Sequence, residues 1–163
     1  MRWTRLAALA LCFPILACSG GQGSEPSASR ASMAFVDPAP LYPNETPQLR
    51  HLIERYSALY QVPVKLVQKV VIRESTHRPT ARNGPYYGLM QILPATARSM
   101  GFQGQSTDLL DAETNLKYAV KYLRGAWLVS DGDLDTAVGW YAKGYYYEAK
   151  NRDMLVETGL RSH

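Results

Sequence analysis

Glu74 is the side chain in this sequence whose type and position point most directly to chemistry. The apolar residues before it recur at helical spacing, at Val67, Val70 and Val71. Glu74 lies seven residues after the first of these and continues the same stripe at the C-terminal end of the predicted helix. Apolar neighbours and the negative end of the helix dipole both disfavour a charged carboxylate, so we expect a raised pKa. A protonated carboxyl near neutral pH is the state that general acid catalysis needs. The structural alternative is that Glu74 only caps the core and pairs with one of three nearby arginines, Arg73, Arg78 or Arg82.

Two short motifs around Glu74 carry a family resemblance. Arg73-Glu74-Ser75 is followed, after a loop, by Gly88-Leu89-Met90-Gln91-Ile92 and then by Pro94-Ala95-Thr96-Ala97. Together these segments resemble the lytic transglycosylases of the goose-type-lysozyme-like class, with an SLT domain. The resemblance covers roughly residues 50–150 and includes Asn115 and Tyr122-Leu123 on a predicted long helix.

The resemblance implies a fold and a reaction. The fold would be mostly α, a single compact lysozyme-like domain of short helices, which we assign to residues 47–155. Such enzymes cleave the MurNAc–GlcNAc β-1,4 bond of peptidoglycan and leave a 1,6-anhydro-MurNAc end. Glu74 would first protonate the leaving oxygen and then accept the proton of the C6 hydroxyl, while the N-acetyl group stabilises the cationic centre. No cofactor is implied.

The same resemblance implies substrate contacts, each of which also has a structural alternative. Ser75 would orient Glu74 or a substrate oxygen, or else would cap the helix. Gln91 would bind a sugar N-acetyl group, or would be a surface amide. Gly88 would let the backbone approach the substrate, or would be a turn glycine. Met90 would lie along the cleft, or would be a core residue.

Tyr141 stands where the family has an Ala-Tyr-Asn-Ala-Gly motif, and the resemblance suggests Glu74 as the partner of its hydroxyl. Packing in the core is the alternative. The motif reads Trp140-Tyr141-Ala142-Lys143-Gly144 here, so Ala142 and Lys143 replace the asparagine and the alanine. This departure places substrate contacts near that turn in question. Tyrosines 86, 87, 145, 146 and 147 offer aromatic faces for sugar rings, and we expect one or two of the five to touch glycan.

The distribution of acidic residues favours a mechanism with one carboxylate. Most glycosidases need two carboxylates, about 5–5.5 Å apart when retaining and about 6.5–9.5 Å when inverting. The sequence has no acidic residue between Glu74 and Asp108. The later ones are better explained as helix caps and solvated turns, at Asp108, Asp111, Glu113 and the segment 131–135.

Helix signals set the framework for these residues. Thr46-Pro47 has the capping hydroxyl and first-turn proline of a helix start. Pro94 begins a helix that Gly101 ends, and Asp111 caps a long helix through Trp127. The turn at 131–133 leads into a helix that Gly144 ends, and a last helix is predicted over 145–155. Strands have almost no support.

The first 46 residues differ in composition from the rest. Arg2 and Arg5 precede twelve uncharged residues, 6–17, which is the layout of a secretory signal and is too short to span a bilayer. The end of this segment at Cys18 resembles a lipobox, which implies a signal over 1–18 and lipidation of Cys18; an ordinary cleaved signal is the alternative. More than half of residues 19–46 are Gly, Ser, Pro or Ala, which predicts a flexible tether, and 156–163 reads as a C-terminal tail. We therefore expect export to the periplasmic side, with a lipid anchor in the outer membrane.

Composition narrows the classes of partner. The net charge of +4 over 163 residues is too small to indicate nucleic acid, though it suits an anionic polymer. The two cysteines are Cys12 and Cys18, so the rest of the chain has no disulfide and no cysteine nucleophile. His51, His77 and His163 match no metal-ligand spacing, and no metal site is predicted.

The prediction is thus an exported peptidoglycan lytic transglycosylase with Glu74 as its acid and base. A hydrolase of the goose-lysozyme type would act on the same bond with water as the nucleophile. A non-catalytic peptidoglycan-binding module is an alternative of another class. A partnership with secretion or cell-wall machinery would leave the chemistry unchanged, and the sequence does not decide it.

Overall fold

The computed structural model describes residues 39–161, and these residues form a helical domain. The predicted signal, Cys18 and most of the predicted tether lie outside the described residues. The mostly α, lysozyme-like fold class is confirmed. The helices are α1 (Pro47–Tyr60), α2 (Val64–Ser75), α3 (Pro94–Ser99), α4 (Ala112–Leu128), α5 (Leu134–Lys143) and α6 (Tyr146–Asn151), with a 3-10 helix at Ser106–Leu110. Within 39–161, none of these helices has the length and hydropathy needed to cross a membrane.

The helix starts follow the predicted capping chemistry. Thr46 Oγ1 accepts a hydrogen bond from the Leu49 amide at 3.1 Å, with Pro47 in the first turn of α1. The Asp111 carboxylate accepts from the Thr114 amide at the start of α4. Asp133 caps α5 in the same way. Each cap satisfies an amide that the helix leaves without a carbonyl partner, so the chain begins these helices where the sequence predicts.

Helix α2 places Glu74 against the core. Its apolar side is formed by four side chains that are fully buried, Leu66, Val67, Val70 and Val71. The helix packs against α1 and α5 and ends at Ser75. Thr76 adopts a left-handed conformation (φ 52°), and its amide bonds back to the Val71 and Ile72 carbonyls. Glu74 therefore lies in the last turn, half-buried, at the end of the predicted apolar stripe.

Helix α4 is the longest element and crosses behind the site. It packs against α1, α3, α5 and the 3-10 helix. Its buried face consists of Asn115, Leu116, Ala119, Val120, Leu123, Gly125 and Ala126. The predicted stripe of this helix is confirmed, with one polar residue, Asn115, at 0% exposure inside it.

Three boundaries differ from the prediction. The turn at Gly84-Pro85 joins two strands of two residues each, β1 (Arg82–Asn83) and β2 (Tyr86–Tyr87), which are too short for any periodicity to reveal. The last helix, predicted over 145–155, is shorter because the chain turns at Asp153, whose φ is 55°. The predicted tail is folded over 156–161, where Thr158 is buried and its amide bonds to the Met154 carbonyl.

The predicted tether is also too long. Residues 42–46, assigned to it, pack on α1 and α2 through the Glu45 carboxylate, whose side chain is fully buried. This carboxylate accepts hydrogen bonds from the Arg50 guanidinium, the Tyr42 amide and Gln68 Nε2. Burial favours the neutral acid, but these donors and the Arg50 charge outweigh burial and lower the pKa of Glu45 to about 2. The Gly, Ser, Pro and Ala content of residues 19–46 predicted a tether and gave no indication that Glu45 anchors residues 42–46 to the domain.

The Glu45 network reaches the segment that follows Glu74. Gln68 Oε1 accepts from His77 Nε2 at 2.6 Å, and the Tyr42 ring stacks on the His77 ring with centroids 5.4 Å apart. Burial lowers the pKa of His77, so the ring is held neutral. Asn44 Nδ2 also donates to the Thr76 carbonyl at 3.0 Å. The segment before α1 thus fixes the turn after α2.

We expect Glu45→Gln to lower the free energy of unfolding at neutral pH by about 2 kcal/mol, because the half-buried Arg50 guanidinium loses its charged partner. The pKa of Glu45 is lowered on folding, so its stabilisation is present above about 4.5 and lost as the pH falls towards about 2. The gap between parent and variant should therefore close on acidification, as measured by urea unfolding at several pH values. The exposed Glu157→Gln is the control. A gap that stays constant with pH would mean that ionised Glu45 does not stabilise the fold.

Asn115 holds the turn that carries the second sequence motif. Its Nδ2 donates to the Tyr87 and Leu109 carbonyls, both at 2.8 Å, and its Oδ1 accepts from the Met90 amide at 3.0 Å. Gly88 lies against this amide with φ 74°, and a Cβ there would overlap the Leu109 carbonyl oxygen and the Asn115 side chain. Gly88 is therefore required for the close approach of this turn to α4.

Gly88→Ala should destabilise the domain by about 2 kcal/mol or more, from the clash and from the positive φ. Gly139→Ala on α5 is the matched control, because a Cβ there meets nothing within 4 Å. We expect the control to gain about 0.5–1 kcal/mol from its higher helix propensity. Thermal unfolding of both variants followed by circular dichroism measures the difference. Equal melting temperatures would contradict the role of Gly88 in packing.

Candidate functional site

Glu74 lies where two recesses of the surface meet. The larger, about 650 Å³, is called here the tyrosine recess. The smaller, about 360 Å³, is called the arginine recess. Glu74, Asn83 and Gln91 border both of them. The tyrosine recess is further lined by Arg73, Tyr86, Ile92, Leu93, Thr96, Tyr122 and 141–144, and the arginine recess by Arg78, Thr80, Ala81 and Arg82.

The environment of Glu74 favours its protonated form. Its side chain is 22% exposed, and Arg73 Nε lies 3.4 Å from its Oε1. Burial raises the pKa of Glu74, and the Arg73 charge only partly opposes this effect. The arginine pair expected as the structural alternative therefore exists, but it does not cancel the effect of burial. The balance of these effects favours the protonated carboxyl over the carboxylate.

Among residues 39–161, Glu74 is the only carboxylate that lines either recess. The later acids that the sequence analysis considered lie outside both recesses and have structural contacts. Asp111 and Asp133 cap helices, and Asp108 accepts a hydrogen bond from the Gln105 amide. Glu113 accepts from the Tyr56 hydroxyl. The site therefore offers one carboxyl group to a glycosidic bond.

Ser75 is next to Glu74 in sequence but points away from the recesses. It is 3% exposed, its hydroxyl donates to the Val71 carbonyl at 3.3 Å, and its Oγ accepts from the Arg78 amide at 3.3 Å. These are the contacts of a helix C-terminal cap, the alternative considered from sequence. Ser75 fixes the backbone turn after Glu74 and lines neither recess.

The Gly88–Gln91 turn contributes one side chain to the site. Gln91 borders both recesses, and its Nε2 donates to the Ala81 and Gly88 carbonyls at 3.1 and 2.9 Å. Its Oε1 is thereby oriented as a hydrogen-bond acceptor. Gly88 and Met90 are buried and line neither recess. Their expected contact with the substrate stays a prediction. Packing against Asn115 explains the glycine, and the core explains the methionine.

Tyr141 lines the tyrosine recess but does not bond to Glu74. Its hydroxyl donates to the Met90 carbonyl at 2.8 Å, which ties α5 to the Gly88–Gln91 turn. The resemblance suggests Glu74 as its partner, whereas in the structure the hydroxyl bonds to the buried Met90 carbonyl. Burial and the neighbouring Glu74 charge raise the pKa of Tyr141 well above its usual value. The phenol is therefore neutral.

Of the five tyrosines proposed for sugar contact, Tyr86 lines the tyrosine recess and is 42% exposed. Tyr87 packs under the Arg82 guanidinium, and Tyr145 is buried with its hydroxyl donating to the Tyr122 carbonyl. Tyr146 and Tyr147 are exposed and outside the recesses. The expectation of one or two contacts stays a prediction, with Tyr86 as the candidate among the five.

Sequence reasoning missed the site role of Asn83 and Tyr122. The sequence analysis did not single out Asn83, and Tyr122 entered it only through the family pattern of α4. The position of Tyr122 directly before the buried Leu123 was the available signal, because it places the ring at the edge of the core face. Ala142 and Lys143 also line the tyrosine recess, so the departure from the family motif falls within the site. The Lys143 ammonium lies 3.8 Å from the centre of the Trp140 ring.

Within the described part of the chain, no three His, Cys, Asp or Glu residues lie close enough together to hold a metal ion. The comparison with known protein families identifies this helical domain. A family model described as the transglycosylase SLT domain matches residues 51–154, which run from the second turn of α1 past the end of α6 and include every residue of both recesses. This family points to lytic transglycosylase activity on peptidoglycan. The chain belongs to the transglycosylase SLT domain family.

Proposed function

We propose that this protein is a peptidoglycan lytic transglycosylase that cleaves the MurNAc–GlcNAc β-1,4 bond and forms a 1,6-anhydro-MurNAc end. The single observation that carries the proposal is the position of Glu74, the one carboxyl group bordering the two recesses within residues 39–161. Glycan bound across both recesses would place a glycosidic bond beside this group. The proposed reaction needs no cofactor.

One carboxyl group can perform both proton transfers of this reaction. Protonated Glu74 donates its proton to the glycosidic oxygen as the C1–O bond breaks, and GlcNAc leaves with its hydroxyl. The resulting Glu74 carboxylate accepts the proton of the C6 hydroxyl of MurNAc, and the C6 oxygen bonds to C1 of that MurNAc. The N-acetyl oxygen stabilises the positive charge at C1 between these steps. Atoms balance without water, so no second carboxylate is required to activate one.

The remaining lining residues have roles in binding. Gln91 Oε1 accepts from an N-acetyl N–H, since Ala81 and Gly88 already accept its amide hydrogens. Tyr86 and Tyr122 offer aromatic faces for sugar rings in the tyrosine recess, and the two recesses together are called the cleft. Tyr141 contributes an apolar wall, and its bond to Met90 keeps α5 and the Gly88–Gln91 turn at a constant separation. Export and a lipid anchor at Cys18 stay predictions from the sequence.

Glu74→Gln should abolish product formation, with a loss of about 10³-fold or more, since an amide cannot donate or accept the proton. The measurement is mass spectrometry of the soluble products released from purified peptidoglycan. Glu157→Gln makes the same change at an exposed position outside the cleft and should retain activity. Anhydro ends from the parent support the proposal, and reducing ends would assign a hydrolase. Binding to glycan without any product would assign a binding module.

The same variant should stabilise the fold. Since the pKa of Glu74 is raised on folding, the folded state resists the charge, and its stability falls as the pH rises through this pKa. Glu74→Gln removes that cost at neutral pH and should raise the melting temperature by about 1–3 °C. The gain should vanish near pH 4, where the parent carboxyl is protonated in both states. If the variant is less stable than the parent at neutral pH, burial does not disfavour the charge of Glu74.

A further inference from the structure

The cleft carries an excess of positive charge that the proposed proton transfers do not use. Its two recesses are lined by four cationic side chains and one carboxylate within residues 39–161. The cations are Arg73, Arg78, Arg82 and Lys143. Arg73 faces Glu74, and Lys143 lies over the Trp140 ring. Arg78 and Arg82 remain, and both line the arginine recess.

Both of these arginines are held in place by contacts that leave the end of the guanidinium accessible. Arg78 Nε donates to the Ser75 carbonyl at 2.9 Å, and the residue is exposed. The Arg82 guanidinium lies 4.7 Å from the centre of the Tyr87 ring. A fixed side chain loses less conformational freedom when it binds a ligand, so both cations are preorganised.

Elsewhere in the described domain, two exposed arginines face carboxylates. Arg55 pairs with Glu113, and Arg152 pairs with Asp131 and Glu148. Arg78 and Arg82 form no ion pair with any described residue, although Glu74 borders the same recess. Two preorganised guanidinium groups on one side of the acid form a site for anions, and their fork geometry matches carboxylates.

We propose that Arg78 and Arg82 bind carboxylates of the peptide stems that substitute the glycan, on one side of the bond that Glu74 cleaves. The inference rests on the proposed function, because it takes peptidoglycan as the substrate. Sugar rings and N-acetyl groups are neutral, whereas the stems start at MurNAc, the residue attacked, and carry several carboxylates. The arginine pair therefore makes the enzyme selective for strands whose stems retain free carboxylates.

The test compares two preparations of the same peptidoglycan. In both, the stem amines are acetylated, and in one the carboxylates are then converted to carboxamides, so the preparations differ only in negative charge. We expect the parent to cut the preparation with free carboxylates about tenfold faster than the amidated one at low salt, because two partly screened ion pairs contribute to binding. In the double variant Arg78→Gln and Arg82→Gln, this ratio should fall to about one.

The control is the double variant Lys65→Gln and Arg98→Gln, which removes the same charge at exposed positions outside both recesses. It should keep the parental ratio. A parent that cuts both preparations equally, or an arginine double variant that keeps the tenfold ratio, overturns the proposal. If the control also loses the ratio, net charge and not this site is responsible, and the proposal fails.

A binding measurement separates this proposal from the proposed function. In the Glu74→Gln background, co-sedimentation with each preparation reports the arginine site without turnover. The site is supported if the protein binds the preparation with free carboxylates more tightly and loses this preference when both arginines are replaced. This holds even if the parent releases no anhydro product. Equal binding of both preparations overturns it even if the parent is an active transglycosylase.

Discussion

The site depends on the partial removal of one carboxyl group from water. The valine stripe of α2 is buried by α1 and α5, and this burial carries Glu74, one helical turn further along, to the edge of the core. Apolar burial supplies the free energy that holds an acid where its charge is disfavoured. The raised pKa of Glu74 is thus a consequence of helix packing. Ionisation of the half-buried carboxyl lowers the stability of the folded state.

A polar framework keeps the opposite wall of the cleft in place. Asn115 is fully buried within the apolar face of α4 and bonds to three backbone groups around the Gly88–Gln91 turn. Tyr141 adds a fourth bond from α5 to the Met90 carbonyl. A buried amide with its partners satisfied specifies one arrangement of the elements, since any other would leave these groups unpaired. Gln91 is consequently presented to both recesses from a rigid turn.

A second polar cluster supports Glu74 from behind. The Glu45 carboxylate joins Arg50, the Tyr42 amide and Gln68, and Gln68 bonds to His77. His77 lies three residues after Glu74, so the segment before α1 restrains the turn that ends α2. The Glu45 cluster restrains the turn after Glu74, and the Asn115 cluster restrains the turn that carries Gln91. Within residues 39–161, the two recesses are lined by four cationic side chains and one carboxylate. The electrostatic asymmetry of the cleft therefore comes from residues that the helices bring together from both walls.

Local chemistry in the sequence determined the helices and the place of Glu74 at the end of the apolar stripe of α2. Caps at Thr46, Asp111 and Asp133 act through bonds within one turn, and the stripe that contains Glu74 repeats every turn, so both can be read from short segments. The two-residue strands are too short for any periodicity to reveal. Residues 42–46 could not be read in this way either, because Gln68 and Thr76, to which they bond, lie far along the chain. For the same reason, only the tertiary structure decided that Ser75, Gly88 and Met90 serve packing and that Gln91, Asn83 and Tyr122 border the cleft. A side chain's type is local, whereas the surface it faces depends on which helices pack around it.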